Sequence, residues 1–237
     1  MTRRRWIADE VSGNRAALTG SHAEHLSRVL RARLGQEFDI ASGSGLRRGR
    51  IIAITETRVE FELGEAVAVS PTPNITLAMS IFKFDRMEWA IEKCTELGVT
   101  RIIPVIASRT ESHLATAASK RRERWERIAH QAAEQSRRIT PPEIGVPVKL
   151  KEVFELQGSL RIVSSEVEQE LMLKEVLESS PPAENVVLAL GPAGGWTDTE
   201  LDLFKQAGWL SASLGGTVLR AETAAIAATA VIFSELQ

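Results

Sequence analysis

The stretch from Val186 to Ala224 constrains the fold of this chain more than any other, because it holds two glycine-bearing loops in a strand-loop-helix setting. It reads V-V-L-A-L-G-P-A-G-G-W-T-D-T-E, and further on L-G-G-T-V-L-R-A-E-T-A. Val186 to Leu190 is a short apolar run that ends at Gly191 and Pro192, the pattern of a strand buried on both faces in a parallel sheet. Gly194 and Gly195 allow backbone angles closed to other residues and let a ligand approach the main chain. Thr197 with Glu200 three residues on forms a capping box, so a helix is expected to begin there. The second loop repeats the arrangement, with Gly215 and Gly216 ahead of Val218, Leu219 and Arg220, and an alanine-rich helix expected from about Glu222 to Leu236. Loops at strand ends are where open α/β sheets bind ligands. Either loop alone reads equally as an ordinary connection; their combination points to a site.

Phosphate is the first ligand such loops suggest. No Lys-Ser or Lys-Thr follows the glycines, however, and G-x-G-x-x-G is absent, which disfavours a nucleoside triphosphate or a dinucleotide.

The N-terminal part, residues 1–70, reads as strands around one helix. Ser21 and Glu24 suggest a capping box, Leu26, Val29, Leu30 and Leu34 an apolar stripe, and Gly35 a stop. Phe38 to Ala41, Arg50 to Thr55 and Arg58 to Leu63 alternate apolar with polar residues, with Gly43, Gly45 and Gly49 punctuating the first connection, so a small β-barrel is expected. Ser70-Pro71-Thr72-Pro73 is a stiff connector and the expected domain boundary. Strands and helices then alternate over residues 74–237: Ile75 to Phe82, Arg86 to Leu97, Arg101 to Ala107, Lys120 to Arg138, Leu160 to Val163 and Glu170 to Leu177. That alternation predicts a parallel α/β sheet. Lys83, Asp85 and Arg86 fall in a loop at the C-terminal end of a strand, where α/β enzymes place chemistry. Cys94 falls on the apolar face of its helix and is expected in the core.

The net charge of −2 argues against a uniformly basic coat, but residues 1–70 hold 11 arginines and no lysine against 9 acids. A basic face on one module suits RNA. Cys94 is the only cysteine, and His22, His25, His113 and His130 are scattered, so no metal is expected. No apolar segment is long enough to span a bilayer and no signal-peptide core follows Met1, which makes the cytoplasm the expected location.

These segments together resemble the SPOUT class of trefoil-knot methyltransferases, and more closely the family that methylates ring nitrogen 3 of a uridine in small-subunit (16S) ribosomal RNA. The resemblance rests on G-P-A-G-G with T-x-x-E and on L-G-x-x-V-L-R-A-E-T-A. It extends to K-F-D-R-M-E-W-A-I-E-K-C-T-E-L-G-V from Lys83, R-W-E-R-I-A-H-Q-A-A-E-Q-S-R-R from Arg124 and H-L-S-R-V-L-R from His25. It implies a PUA-like RNA-binding barrel at 1–70, a knotted SPOUT methyltransferase domain at 74–237, S-adenosylmethionine as cofactor, a homodimer, and small-subunit ribosomal RNA or the ribosomal subunit as partner. It makes the backbone of Leu190, Gly191, Gly195, Leu214, Gly215 and Leu219 the expected cofactor grip. Arg220 is expected to stabilise charge on the uracil, with Glu222 positioning it or accepting a proton. Arg3, Arg4, Arg5, Lys83, Arg86, Gln135, Arg137 and Arg138 are the expected RNA contacts, with Arg47, Arg48 and Arg50 as further candidates. Ala193 stands where that family usually carries glutamate, so two readings stay open: an enzyme whose loop works through its backbone, or an RNA-binding protein without chemistry.

Overall fold

Val186 to Leu190 has no polar side chain to turn toward water, so a strand made from it needs apolar cover on both faces. The computed structural model, which describes residues 5–42, 45–68 and 73–236, provides that cover. The chain forms two compact units, Met1–Pro71 with Ala133–Pro141, and Thr72–Ala132 with Pro142–Gln237.

In the first unit the strands are β1 (Arg5–Ile7), β2 (Glu10–Ser12), β3 (Arg15–Thr19), β4 (Glu37–Ser42), β5 (Gly45–Ile54) and β6 (Arg58–Ala66), with helix α1 (Gly20–Glu24) after β3. They make one sheet in the order β1-β4-β5-β6-β3-β2, antiparallel except for β1 beside β4. Leu18, Leu26, Ile40, Ile51, Val59 and Phe61 form its core. The expected long helix is cut short. After α1 the backbone widens into a π-turn over His25–Val29, and Arg31 takes a φ of 49°, outside the helical region. Leu26 is buried and Leu30 packs against the same core, whereas Val29 and Leu34 are exposed, so only half of the expected stripe forms. Gly49 is not punctuation either. It lies within β5 where a β-carbon would come 2.4 Å from Ile40 Cγ1, so glycine is there for close packing.

The second unit begins with β7 (Asn74–Ser80), α2 (Phe84–Glu96), β8 (Arg101–Ile106), α3 (Ser112–Ala118) and α4 (Arg122–Gln135), whose last turn belongs to the first unit. It continues through β9 (Glu143–Ile144), β10 (Val148–Lys149), α5 (Leu150–Val153), β11 (Leu160–Ser164), α6 (Leu173–Ser179), β12 (Asn185–Leu190), α7 (Asp198–Gln206), β13 (Leu210–Ala212) and α8 (Ala221–Glu235). The strands are all parallel, in the order β10-β8-β7-β12-β11-β13, with β9 also on β8. The unit is therefore an α/β fold with a parallel sheet, and β12 lies inside it between β7 and β11.

Side chains of β12 alternate between two cores. Val186, Leu188 and Leu190 join a cluster with Met87, Ile91, Cys94, Trp125 and Ile232 from the helices on one face. Val187 and Ala189 join Trp196, Phe204 and Trp209 on the other. Truncating a side chain such as Leu188, fully buried, to alanine is expected to cost about 2–5 kcal/mol. Cys94 is core, as its helical face implies, and burial pushes its thiol up to about 12. Ala225 and Ala228 of α8 are buried within the subunit, which accounts for part of that helix's small-residue surface. Among the described residues, no helix is long and apolar enough to cross a membrane.

In the first unit, the His22 imidazole lies 3.1 Å from Asp9 Oδ1 and 3.3 Å from Glu134 Oε2. Hydrogen bonding to Glu134 outweighs burial, and with help from Asp9 it raises the pKa from 6.5 to about 9. A raised cationic pKa stabilises the fold fully below 6.5, and that contribution is lost as pH rises through about 9. An NMR titration is expected to place the His22 midpoint near 9, with Glu134→Gln lowering it. Melting temperature is expected to fall between those two pH values less steeply in His22→Asn than in the unaltered protein.

Candidate functional site

The parallel strands β12, β11 and β13 lie side by side, so the loops that follow them emerge at one edge of the sheet. Those loops enclose a cavity of about 310 Å³. Leu190, Gly191, Gly195, Leu214, Gly215 and Leu219 all line it, so the structure brings the expected cofactor-gripping residues together. Ser164, Ser165 and Glu166 complete the wall from the end of β11.

The first glycine loop is built by short hydrogen bonds. Gly195 N–H donates to the Pro192 carbonyl at 2.9 Å, closing a tight turn in which Gly195 has a φ of 70°. That angle suits glycine. The Trp196 indole then folds back and donates to the Ser164 carbonyl at 3.1 Å, tying the loop to the end of β11. A β-carbon at Gly191 would stand 3.3 Å from the same indole nitrogen, a tight contact that would press on the ring.

Thr197 caps α7 as expected, its hydroxyl accepting from Glu200 N–H at 3.2 Å while the Glu200 carboxylate accepts from Thr197 N–H at 2.8 Å. Glu200 does more than close the capping box. It is 3 % exposed, and its other oxygen accepts from Ser108 N–H at 2.8 Å, joining α7 to the loop after β8. The next residue of that loop, Arg109, donates to the carbonyls of Gly194 at 2.6 Å and Trp196 at 3.1 Å. The second glycine loop is held by Ser213, whose hydroxyl accepts from Gly215 N–H at 3.2 Å, with Gly215 at a φ of 129°.

The expected catalytic pairing needs correction. Among the described residues no ion pair joins Arg220 to Glu222. Residues two apart at a helix start do not face each other. Arg220 is exposed as the residue before α8, whereas Glu222 is 4 % exposed and faces Arg86 Nε at 3.6 Å. Arg86, expected to contact RNA, is thereby the partner of Glu222. Both Arg220 and Glu222 flank residues of the cavity wall, Leu219 and Ala221.

Of the other expected RNA contacts, Arg3 and Arg4 lie outside the described residues. Lys83 is exposed, and its carbonyl accepts from Met87 N–H at the start of α2. In the first unit the Arg5 guanidinium donates to the carbonyl of Arg137. Arg137 ends α4 with a φ of 60°, the position glycine usually takes, while Arg138 N–H reaches back to the Ala133 carbonyl at 2.8 Å. Burial lowers the Arg138 pKa to about 10, leaving it cationic at neutral pH, and Gln135 is exposed on the last turn.

Sequence reasoning missed Arg109, Glu166 and the Trp196 indole. For Glu166 a signal was present, since Ser164-Ser165-Glu166 directly follows an apolar strand run; for Arg109 no local pattern exists.

Comparison with known proteins places this geometry in a setting. The RNA methyltransferase domain family matches residues 69–233. The ribosomal RNA small subunit methyltransferase E of Synechocystis is 34% identical over 232 residues, covering 93% of this chain and 73% of its own. The protein of that name from Rickettsia conorii is 31% identical, over 89% of this chain and 86% of its own. Among solved structures, the Neisseria gonorrhoeae ribosomal RNA small subunit methyltransferase E bound to S-adenosyl methionine superposes with a TM-score of 0.83. It is 30% identical, over 98% of this chain and 97% of that one. A Legionella pneumophila methyltransferase in complex with bound SAM gives a TM-score of 0.83 at 29% identity, over 99% of this chain and 98% of that one.

Glu200→Ala would remove the carboxylate from two backbone N–H groups, those of Thr197 and Ser108, and break the cap. Urea unfolding is expected to show a loss of roughly 2–4 kcal/mol, on the scale of hydrogen bonds to a charged group plus the groups left unsatisfied. Burial acts to raise the Glu200 pKa, but the hydrogen bonds from Ser108 and Thr197 prevail and lower it. The contribution is therefore present above the ordinary carboxylate range and lost as pH falls through the depressed value. Acid unfolding of the unaltered protein and of Glu200→Gln is expected to converge.

Proposed function

The chain belongs to the RNA methyltransferase family, in its ribosomal RNA small subunit methyltransferase E branch, and on that premise we propose that it methylates ring nitrogen 3 of a uridine in small-subunit ribosomal RNA. The observation that carries the reading is the cavity at the ends of β11, β12 and β13, walled largely by glycine-bearing backbone. Its residues fit S-adenosylmethionine: Gly195 and Gly215 hold angles that side chains disfavour, and the apolar Leu190, Leu214 and Leu219 suit a flat base. When bound, this cofactor supplies a methyl group already activated on a sulfonium.

The work left to the protein is orientation, removal of the uridine proton and stabilisation of the charge that results. Arg220, exposed beside the cavity wall, takes the role of stabilising negative charge on the uracil as nitrogen 3 gives up its proton to solvent water. Glu222, at the start of α8, holds Arg86 in the first turn of α2, so that Arg86 and Lys83, the residue that precedes the helix, present positive charge to the RNA. Arg5, Arg137 and Arg138 serve the RNA backbone from the first unit, with residues 1–70 acting as a PUA-like binding module and 74–237 as the SPOUT domain. The trefoil knot is part of the same reading, supported by three strand-end loops meeting at one cavity. A homodimer and a cytoplasmic location complete it, supported by the family's substrate and by the small side chains along α8.

Gly195→Val is expected to abolish S-adenosylmethionine binding in calorimetry with the circular dichroism spectrum retained, because a side chain at 195 opposes the loop conformation. In radiolabel transfer from S-adenosylmethionine to unmodified small-subunit RNA, Arg220→Ala is expected to lose roughly 10²-fold or more, the scale of removing a charge-stabilising donor. Ala193→Glu is expected to change the rate only modestly. An inactive unaltered protein that Ala193→Glu switches on would instead make this chain an RNA-binding protein lacking its catalytic carboxylate.

A further inference from the structure

The wall of the cavity is built of neutral groups with one exception. Among the described residues that line it, Glu166 alone carries a charge. Glu166 is an exposed residue, but its carboxylate lies against the first glycine loop, where a β-carbon on Gly195 would come 1.8 Å from Glu166 Oε1 and 2.8 Å from its carboxyl carbon. The absence of a side chain at Gly195 is what leaves room for that carboxylate. The neighbouring polar groups, Ser164, Ser165, Ser213 and Thr217, are hydroxyls without charge, and Arg109, close to the same loop, is occupied with the carbonyls of Gly194 and Trp196.

A negative charge at the wall of a partly enclosed cavity favours a cation over its neutral analogue, through a Coulomb attraction that a neutral ligand does not feel. Methyl transfer changes the cofactor in that respect. The methyl carbon's bond to sulfur breaks as its bond to the uridine nitrogen forms, the bonding pair stays on sulfur, and a sulfonium cation becomes a neutral thioether. We propose that Glu166 is the residue by which this cavity distinguishes the methyl-carrying sulfonium from the demethylated thioether, holding the first and releasing the second. The inference rests on the cofactor reading of the cavity given above, and it adds a specificity-determining residue at the end of β11.

Calorimetric titration of the full-length protein with S-adenosylmethionine and, separately, with S-adenosylhomocysteine tests it. The two ligands differ in the sulfonium methyl and its charge. Glu166→Gln keeps the size and hydrogen-bonding capacity of the side chain and removes the charge. It is expected to weaken S-adenosylmethionine about tenfold, the scale of one modest charge interaction, while S-adenosylhomocysteine changes less than about twofold. Glu166→Asp, which retains the charge on a shorter stem, is expected to recover part of the discrimination. Equal weakening of both ligands would overturn the proposal and make Glu166 an acceptor for groups they share, such as the ribose hydroxyls. Unchanged affinity for both would overturn it as well. Failure of the unaltered protein to bind either ligand would overturn the cofactor reading itself, an outcome separable from the other two because it requires no variant.

Discussion

The grip of Arg109 on the carbonyls of Gly194 and Trp196 is the interaction on which the site depends. A glycine loop that must offer its backbone to a ligand cannot also be held by its own side chains, and glycine carries the largest conformational entropy cost on ordering. The ordering therefore has to come from outside the loop. Arg109 supplies it from the segment after β8, Glu200 ties the same segment to the start of α7, and the Trp196 indole ties the loop to the end of β11. The loop is thus fixed at three points by groups that leave its cavity-facing backbone free of side chains.

The sheet explains why those points exist. Because β12 is interior and parallel to both β7 and β11, the C-terminal ends of successive strands lie at one edge, and every loop leaving that edge is within reach of the next. The alternation of β12 between two cores locks its register, since a slip of one residue would exchange Val187 and Ala189 with Leu188 and Leu190 and mismatch both packing layers. Strand register and loop position are in this way the same constraint.

Charge is distributed around the site with economy. Glu222 is buried and satisfied through Arg86, which lets Arg220 stand exposed at the start of α8 rather than be spent on a local ion pair. A buried carboxylate left unpaired would carry a large desolvation cost, so Arg86 stabilises the fold as well as contributing positive charge to that face. In the first unit the positive-φ turn at Arg137 brings its carbonyl to Arg5, so one of the residues read from sequence as an RNA contact also shapes the chain locally.

The sequence by itself determined the features governed by neighbours along the chain. These are the doubly buried strand at Val186 to Leu190, the Thr197–Glu200 cap, the α/β alternation after residue 74, the core position of Cys94 and the glycine loops that meet at the cavity. Each follows from period, composition or a spacing of three or four residues. Where local pattern was the only guide and burial disagreed, it misled: Leu34 and Val29 fit a helical stripe, yet the π-turn leaves Val29 exposed and the helix ends before Leu34, and Gly49 resembled a turn while it serves packing. Tertiary structure alone decided what crosses the sheet. Arg109 meets a loop 85 residues away, Ser108 meets Glu200 at a separation of 92, and Glu222 chooses Arg86 over the arginine two positions before it. No periodicity encodes such pairs, because they exist only once parallel strands have brought distant loop ends to the same edge.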